Sequence, residues 1–336
     1  VFFSITGDDI SVAPGGNVMH KLSILLGLSG SEQSMYAADV AWNIANQSQG
    51  TVCAQHVIDS QTMWELLRND RPGFIGSGPY MACYEGLLES LRSLSEKLVE
   101  KFEAVASQKG VSTTTVVEEG NPVKRVASRA VDHDLVIVGH QPRFIDKMET
   151  EHARVVRYAV AEGLANECPR PMLVVQDRVS EWTSMTILLS TDHINLSFVG
   201  ACLAMAKLLG LEPKLVALSS GVREEAPKRL LADLKKADPE LKKVPIEIHE
   251  LSGMAVEGRV HPWASEEFDL DWTPDPDTLL VIPTRSSGGH RLTIFDTTPN
   301  LFIRNLALPS ILLWPEEHTE FKIQQPPRKQ KAKATR

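Results

Sequence analysis

The chain carries one layout twice. Lys21–Ser34, KLSILLGLSGSEQS, runs from an apolar stretch through a small polar loop into a helical pattern. Ser184–Ser197, SMTILLSTDHINLS, repeats that order, with Ser34 and Ser197 in matching places. The closing segments also match, CPRPMLVVQ at Cys168–Gln176 against LPSILLWP at Leu308–Pro315. First strand to last strand spans Ile24–Val175 in one half and Ile187–Leu313 in the other. A period of about 130 to 150 residues is that of a duplicated domain, and 336 residues suffice for two such domains, each with a sizeable core. The pattern predicts a leader over 1–20, a first domain over 21–177 and a linker at Asp177–Trp182. A second domain follows over 183–315, then a basic disordered tail over 316–336.

Each half alternates strand and helix. In the first, strands are expected at Leu22–Leu26, Thr51–Ile58, Ser112–Val117, Leu135–Val138 and Met172–Val175. Helices are expected at Ser34–Asn46 with Ser34 as N-cap, at Tyr80–Gln108, from Pro122 through Val131, and at Glu151–Asn166. Leu87, Leu88, Leu91, Leu94 and Leu98 recur at three-four spacing along the long helix. Pro72, Gly73, Gly76, Gly78 and Pro79 mark Asp59–Pro79 as an irregular loop. In the second half, strands are expected at Thr186–Leu189, Lys214–Leu218, Val244–His249, Thr278–Ile282 and Ser310–Leu313. Helices are expected at Leu196–Leu209, Glu224–Lys236 and Pro299–Leu306, with a weak pattern between Ser252 and Pro276. Strands that are apolar throughout belong to a parallel sheet covered on both faces. With right-handed crossovers this gives an α/β protein of two doubly wound, Rossmann-like domains in tandem. Ligands of such sheets sit at the carboxyl ends of the strands, at the switch point.

Composition narrows the function. A net charge of −8 opposes broad nucleic-acid binding. Only Arg328–Arg336, RKQKAKATR, is basic enough for a weak contact with RNA, anionic lipid or an acidic partner, and a solvated end is the simpler reading. No apolar run is long enough to span a membrane. VFFSITGDDISVAPGGNVMH lacks the basic start and continuous apolar centre of a secretory signal and reads as an extended leader. Cys53, Cys83, Cys168 and Cys202 are scattered, and Cys53 and Cys202 read as buried small hydrophobes. The cytoplasm is the expected compartment.

The strand–SGSEQS–helix unit at Ile24–Asn46, EEGNPVKRVASRAVDHDLVIVG at Glu118–Gly139 and CPRPMLVV at Cys168–Val175 resemble the universal stress protein family. The second half resembles it through ILLSTDHINLS and DTLLVIPTRSSGGHRLTIFDTTPNLFIRNLALPSILLW. The likeness covers nearly the whole chain. It implies an adenine-nucleotide alpha-hydrolase-like fold, with Met172–Val175 and Ser310–Leu313 approaching each other in an internal pseudo-dimer or homodimer. Such pairing would also cover two exposed sheet edges. It implies, for ATP-binding members, an acid after the first strand and a G-x-x-G-(nine residues)-G-S/T loop after the fourth. Glycines there bring backbone N–H groups to the phosphates, and a helix start adds its dipole.

Both halves depart from that loop. In the second, Pro283-Thr284-Arg285-Ser286, then nine residues, then Asp296-Thr297 occupy it. Pro283 removes a donor, and Asp296 places a carboxylate where phosphate should lie. Asp192 stands at the acid position, and Ser286, Ser287, Gly288 and Gly289 are expected to form a flexible donor-rich loop, with Arg285, Arg291 and Thr297 beside an anion. In the first half Gly139 is followed by His140, the acid position is Ser29, and Tyr158-Ala159 replace the final pair. Asp192, Arg285, Ser286, Ser287, Gly288, Gly289, Thr297, Ser29, Gly139 and His140 are thus the candidate site residues.

Other signals are weaker. The Ser29–Ser34 loop is superficially similar to that of ATP pyrophosphatases but lacks the second glycine and the acid. Gly76-Ser77-Gly78 lies in a proline-rich connection, where a plain loop is the simpler reading. His133, His140 and His152 lack metal-ligand spacing, and no nucleophile–base pairing is recognisable. Trp64, Trp182, Trp263, Trp272 and Trp314 are expected mostly in loops or at element ends. The expected function is a non-catalytic stress-response adaptor or sensor with degenerate nucleotide loops and no certain cofactor. An ATP- or AMP-binding sensor using the second-half site is the alternative, and a nucleotide-hydrolysing enzyme a weaker one.

Overall fold

The computed structural model describes residues 21–69, 78–140, 160–190, 195–219, 232, 244–250, 274–275, 277–287, 290–293, 298–300, 303 and 308–319. The leader, the tail beyond residue 319, most of the Glu224–Lys236 helix and most of the Ser252–Pro276 stretch lie outside them, as does most of the Pro299–Leu306 helix. Residues 316–319, expected in the tail, instead form an ordered turn after the last strand. The first half runs β1 (Ser23–Gly27), α1 (Glu32–Ser48), β2 (Thr51–Ile58), α2 (Ser60–Asn69), α3 (Gly78–Gln108), β3 (Ser112–Glu119), α4 (Pro122–Ala130), β4 (Leu135–Gly139), α5 (Val160–Glu167) and β5 (Met172–Val175). The second runs β6 (Ser184–Ser190), α6 (Leu196–Leu208), β7 (Glu212–Ser219), β8 (Ile246–Glu250), β9 (Thr278–Ser287), β10 (His290–Thr293) and β11 (Ser310–Pro315).

One sheet holds both halves, in the order β3-β2-β1-β4-β5-β11-β9-β6-β7-β8. Within each half every neighbouring pair on this path is parallel, and the halves have the same internal order read from opposite directions. The two last strands meet antiparallel, with Ser310 opposite Val175 and Leu313 opposite Met172. This is the pairing that a pseudo-dimer requires, and it removes two edges at once. The order reverses between β1 and β4, and again between β6 and β9, which sets the two switch points.

Alternation along the strands divides the core between the two faces of the sheet. Ile24, Leu26, Ile137, Leu173 and Leu312 join one cluster with α1, α6 and the end of α3, while Leu25, Val136, Val138, Val174 and Ile311 join the other with α4 and α5. Both clusters cross the seam, so the two halves share their core. Trp42, stacked on Phe102 at 5.2 Å between centroids, and Trp314 are among its largest fully buried side chains. Trp314 is therefore a core residue of β11.

Three expectations need correction. Ser60–Asn69 is helical where a loop was expected, because the glycines and prolines of that stretch all follow it. Asp59 Oδ1 accepts from Thr62 N at 3.0 Å across its first turn. The N-cap of α1 is Ser31, whose side chain accepts from Ser34 N, so Ser34 lies one turn inside. The third, at β9, bears on the site. On α3, Leu88 is buried while Leu87 and Leu94 are exposed, so only part of the leucine series packs on the sheet.

Cys202 is buried as expected, Cys53 only half-buried, Cys168 buried and Cys83 exposed. Burial pushes the Cys168 thiol up to about 11, offset only in part by a backbone hydrogen bond at Arg170, and pushes Cys202 well up too. The thiolate is the reactive form. Iodoacetamide at about pH 8 should modify Cys83 in the native protein and spare Cys168 and Cys202 until it unfolds. Peptide mass spectrometry showing Cys202 labelled as fast as Cys83 would contradict this burial.

Candidate functional site

In the second half the expected loop is a hairpin. β9 continues past Ile282 to Ser287, and β10 folds back on it. Thr284 faces Thr293, Arg285 faces Leu292, Ser286 faces Arg291 and Ser287 faces His290. The stretch predicted as a flexible donor-rich loop is therefore strand at Ser286 and Ser287, its backbone engaged in a ladder. Arg285, Ser286 and Ser287 have exposed side chains. Asp192, Gly288, Gly289 and Thr297 lie outside the described residues.

Opposed residues of an antiparallel pair share a face, and Ser286 and Arg291 both reach Glu317. Ser286 Oγ lies 3.4 Å from Glu317 Oε1 and donates to it, and Arg291 Nη1 lies 2.9 Å from the same oxygen. The latter is a charge contact without hydrogen-bond alignment. Arg291 is 9% exposed. Because Glu317 is half-exposed, solvent weakens the pair without removing it.

Glu317 is held there by the turn after β11. Glu316 N donates to Thr284 O at 2.8 Å, and His318 N to Pro315 O at 2.8 Å. Trp314 Nε1 donates to His318 O at 2.8 Å. Asn195 caps α6 by accepting from Phe198 N at 3.1 Å and also donates to Glu316 O at 3.0 Å. The first half adds Arg170, whose Nη1 is 2.8 Å from His318 Nδ1 while Nη2 donates to Val131 O. A carboxylate of the chain itself thus sits against the cation and the hydroxyl of this switch point.

The first half brings its three candidates to one place. Ser29 N donates to Ser34 Oγ at 3.0 Å, and Ser29 Oγ meets Ser31 Oγ at 3.0 Å, so the loop before α1 closes on itself. Gly139 ends β4 against the first turn of α1: a Cβ there would lie 2.5 Å from Ser34 N and Gln33 C. Only glycine permits this approach. His140 follows, its N–H bonded to Val175 O at 2.8 Å and its Nε2 3.2 Å from Glu162 Oε1 of α5. The two side chains are 0% and 5% exposed. Glu162 and Glu317 were not among the sequence candidates. An acid among the apolar residues of α5 was the available signal for Glu162, whereas Glu317 lies in a short polar run that carries none.

Among the described residues no group of three or more His, Cys, Asp or Glu side chains could hold a metal ion. No described helix is long and apolar enough to cross a membrane.

No family model matches the chain. It is 26% identical over 168 residues to a universal stress protein of Methanocaldococcus jannaschii, covering 49% of this chain and 88% of that one. Among solved structures it is similar to a universal stress protein from Archaeoglobus fulgidus, at 13% identity and a TM-score of 0.49, covering 88% of this chain and 97% of that one. A universal stress protein in complex with cAMP is similar at 18% identity and a TM-score of 0.30, covering 47% of this chain and 98% of that one. The fold and its two switch points define a tandem, doubly wound α/β protein with an internal pseudo-dimer. About half of the chain is similar in sequence to a universal stress protein.

Proposed function

We propose that this stress-response protein is a non-catalytic adaptor or sensor whose two nucleotide positions are occupied by its own side chains. The observation that carries the reading is the β9–β10 hairpin with Glu317 set against Ser286 and Arg291. Phosphate binding on a loop needs backbone N–H groups turned toward the ligand, and here the backbone of Thr284–Ser287 pairs with β10. A phosphate would also meet the Glu317 carboxylate at the buried Arg291. In the first half, the buried His140–Glu162 pair and the self-bonded Ser29 loop stand in the equivalent place. A cytoplasmic location and protein partners, a second copy included, accompany this reading.

The second reading is a sensor that binds ATP or AMP in the second half through Asp192, Arg285, Ser287, Gly288, Gly289 and Thr297. Its support is the exposure of Arg285 and Ser287 on the hairpin, together with the cAMP-bound relative as a family precedent. Thermal unfolding with millimolar ATP, ADP, AMP and adenosine, each with Mg²⁺, separates the two. A ligand at about 100 times its dissociation constant stabilises by about 2.7 kcal/mol. The adaptor reading expects no shift with any of the four in nucleotide-free protein. A shift that Asp192→Ala abolishes would establish the sensor instead.

A further inference from the structure

A groove of about 710 Å³ lies where the linker passes between α1 and the α6–β7 turn. No residue that ends β1, β4, β6 or β9 lines it, so it is separate from both switch points and independent of how they are read. Its volume is that of a small-ligand pocket, and junctions between domains are a favoured place for one. The floor is apolar and buried, formed by Val40, Ile44, Leu209 and Leu211.

The walls are unlike the floor. Asn43, Asn46 and Gln47 line up on α1 at the spacing that places side chains on one helix face. Arg178 and Glu181 line the groove from the linker. Among the described residues none of these five side chains has a hydrogen bond or ion pair, and Arg178 and Glu181 do not pair with each other. Other polar lining groups are already engaged: Lys109 with Asp39 at 2.6 Å, and Trp182 Nε1 with Ser310 Oγ at 3.1 Å.

We infer that this groove binds a short peptide with free termini. Side-chain amides both donate and accept, as peptide groups do, so the row on α1 matches a backbone laid along it. A terminal carboxylate suits the planar guanidinium of Arg178, and a terminal ammonium suits Glu181. The apolar floor takes a side chain. Two opposite charges that leave each other unpaired in one groove complement a zwitterion better than an anion. A nucleotide would bring several negative charges toward Glu181 and Asp39 against a single uncommitted cation.

The test is isothermal titration of the full chain with Ala-Ala-Ala, Gly-Leu-Gly and Gly-Phe-Gly at millimolar concentration, and with the same peptides acetylated and amidated. At least one free tripeptide should bind, and its doubly capped form should bind on the order of tenfold more weakly. Arg178→Gln should abolish the preference for a free carboxylate, and Glu181→Gln the preference for a free amine. Both positions are exposed, so the variants should unfold like the parent. Binding by none of the three, equal binding of capped and free forms, or unchanged preferences in both variants would each overturn the assignment.

Discussion

Replacing Trp314 by alanine should lower the free energy of unfolding by about 3–5 kcal/mol, the cost of truncating a fully buried aromatic side chain. Trp314 is 0% exposed, edge-on to Phe198 with centroids 6.2 Å apart, and sits in β11 opposite Pro283 of β9. Its indole N–H also holds the His318 carbonyl, so the change loosens the turn that carries Glu317. Because β11 joins β9 to β5, the damage falls on a strand of the seam at which the halves share a sheet. Urea unfolding followed by far-UV circular dichroism measures the loss, with Trp182→Ala as comparison. Trp182 is only half-buried and has one side-chain hydrogen bond, to Ser310. A Trp314→Ala loss no larger than that of Trp182→Ala would remove β11 as the keystone of the seam.

The fold was legible in the sequence wherever apolar runs were short and bounded. Thr51–Ile58 and Met172–Val175 agree with β2 and β5 at both ends, and the approach of the two last strands, implied by the family resemblance, is the pairing observed. The errors lie where a local signal was given too much reach. The proline and glycine cluster beginning at Pro72 was extended back to Asp59, hiding α2. At Pro283–Gly289, serines, glycines and an arginine compose a loop equally well as the tip of a hairpin. The decision comes from tertiary partners: Arg291 finds Glu317, and β10 packs against α5 of the other half. Local pattern cannot contain that, because Glu317 lies beyond β11 and α5 lies in the other half. The groove by the linker was invisible for the same reason, since its walls come from segments more than 100 residues apart.

His140→Ala should cost about 3 kcal/mol, and Glu162→Ala a similar amount, because each change takes a hydrogen-bonding partner from a side chain in a site that water barely reaches. The imidazole follows directly on β4, and the carboxylate comes from α5 between Ala161 and Leu164, both buried in the core beneath the sheet. Contact at 3.2 Å makes the two changes interdependent. The double variant should therefore lose less than the sum of the single losses, by more than about 0.5 kcal/mol, the limit for independent sites. Glu162→Gln keeps an acceptor oxygen for the ring and should recover most of the loss that alanine causes. Urea unfolding of all four variants closes the cycle. Strict additivity would mean that the pair is a coincidence of packing. Coupling with rescue by glutamine would mean that β4 and α5 are locked together at the first-half switch point, where a nucleotide-binding protein of this fold would keep an open cradle.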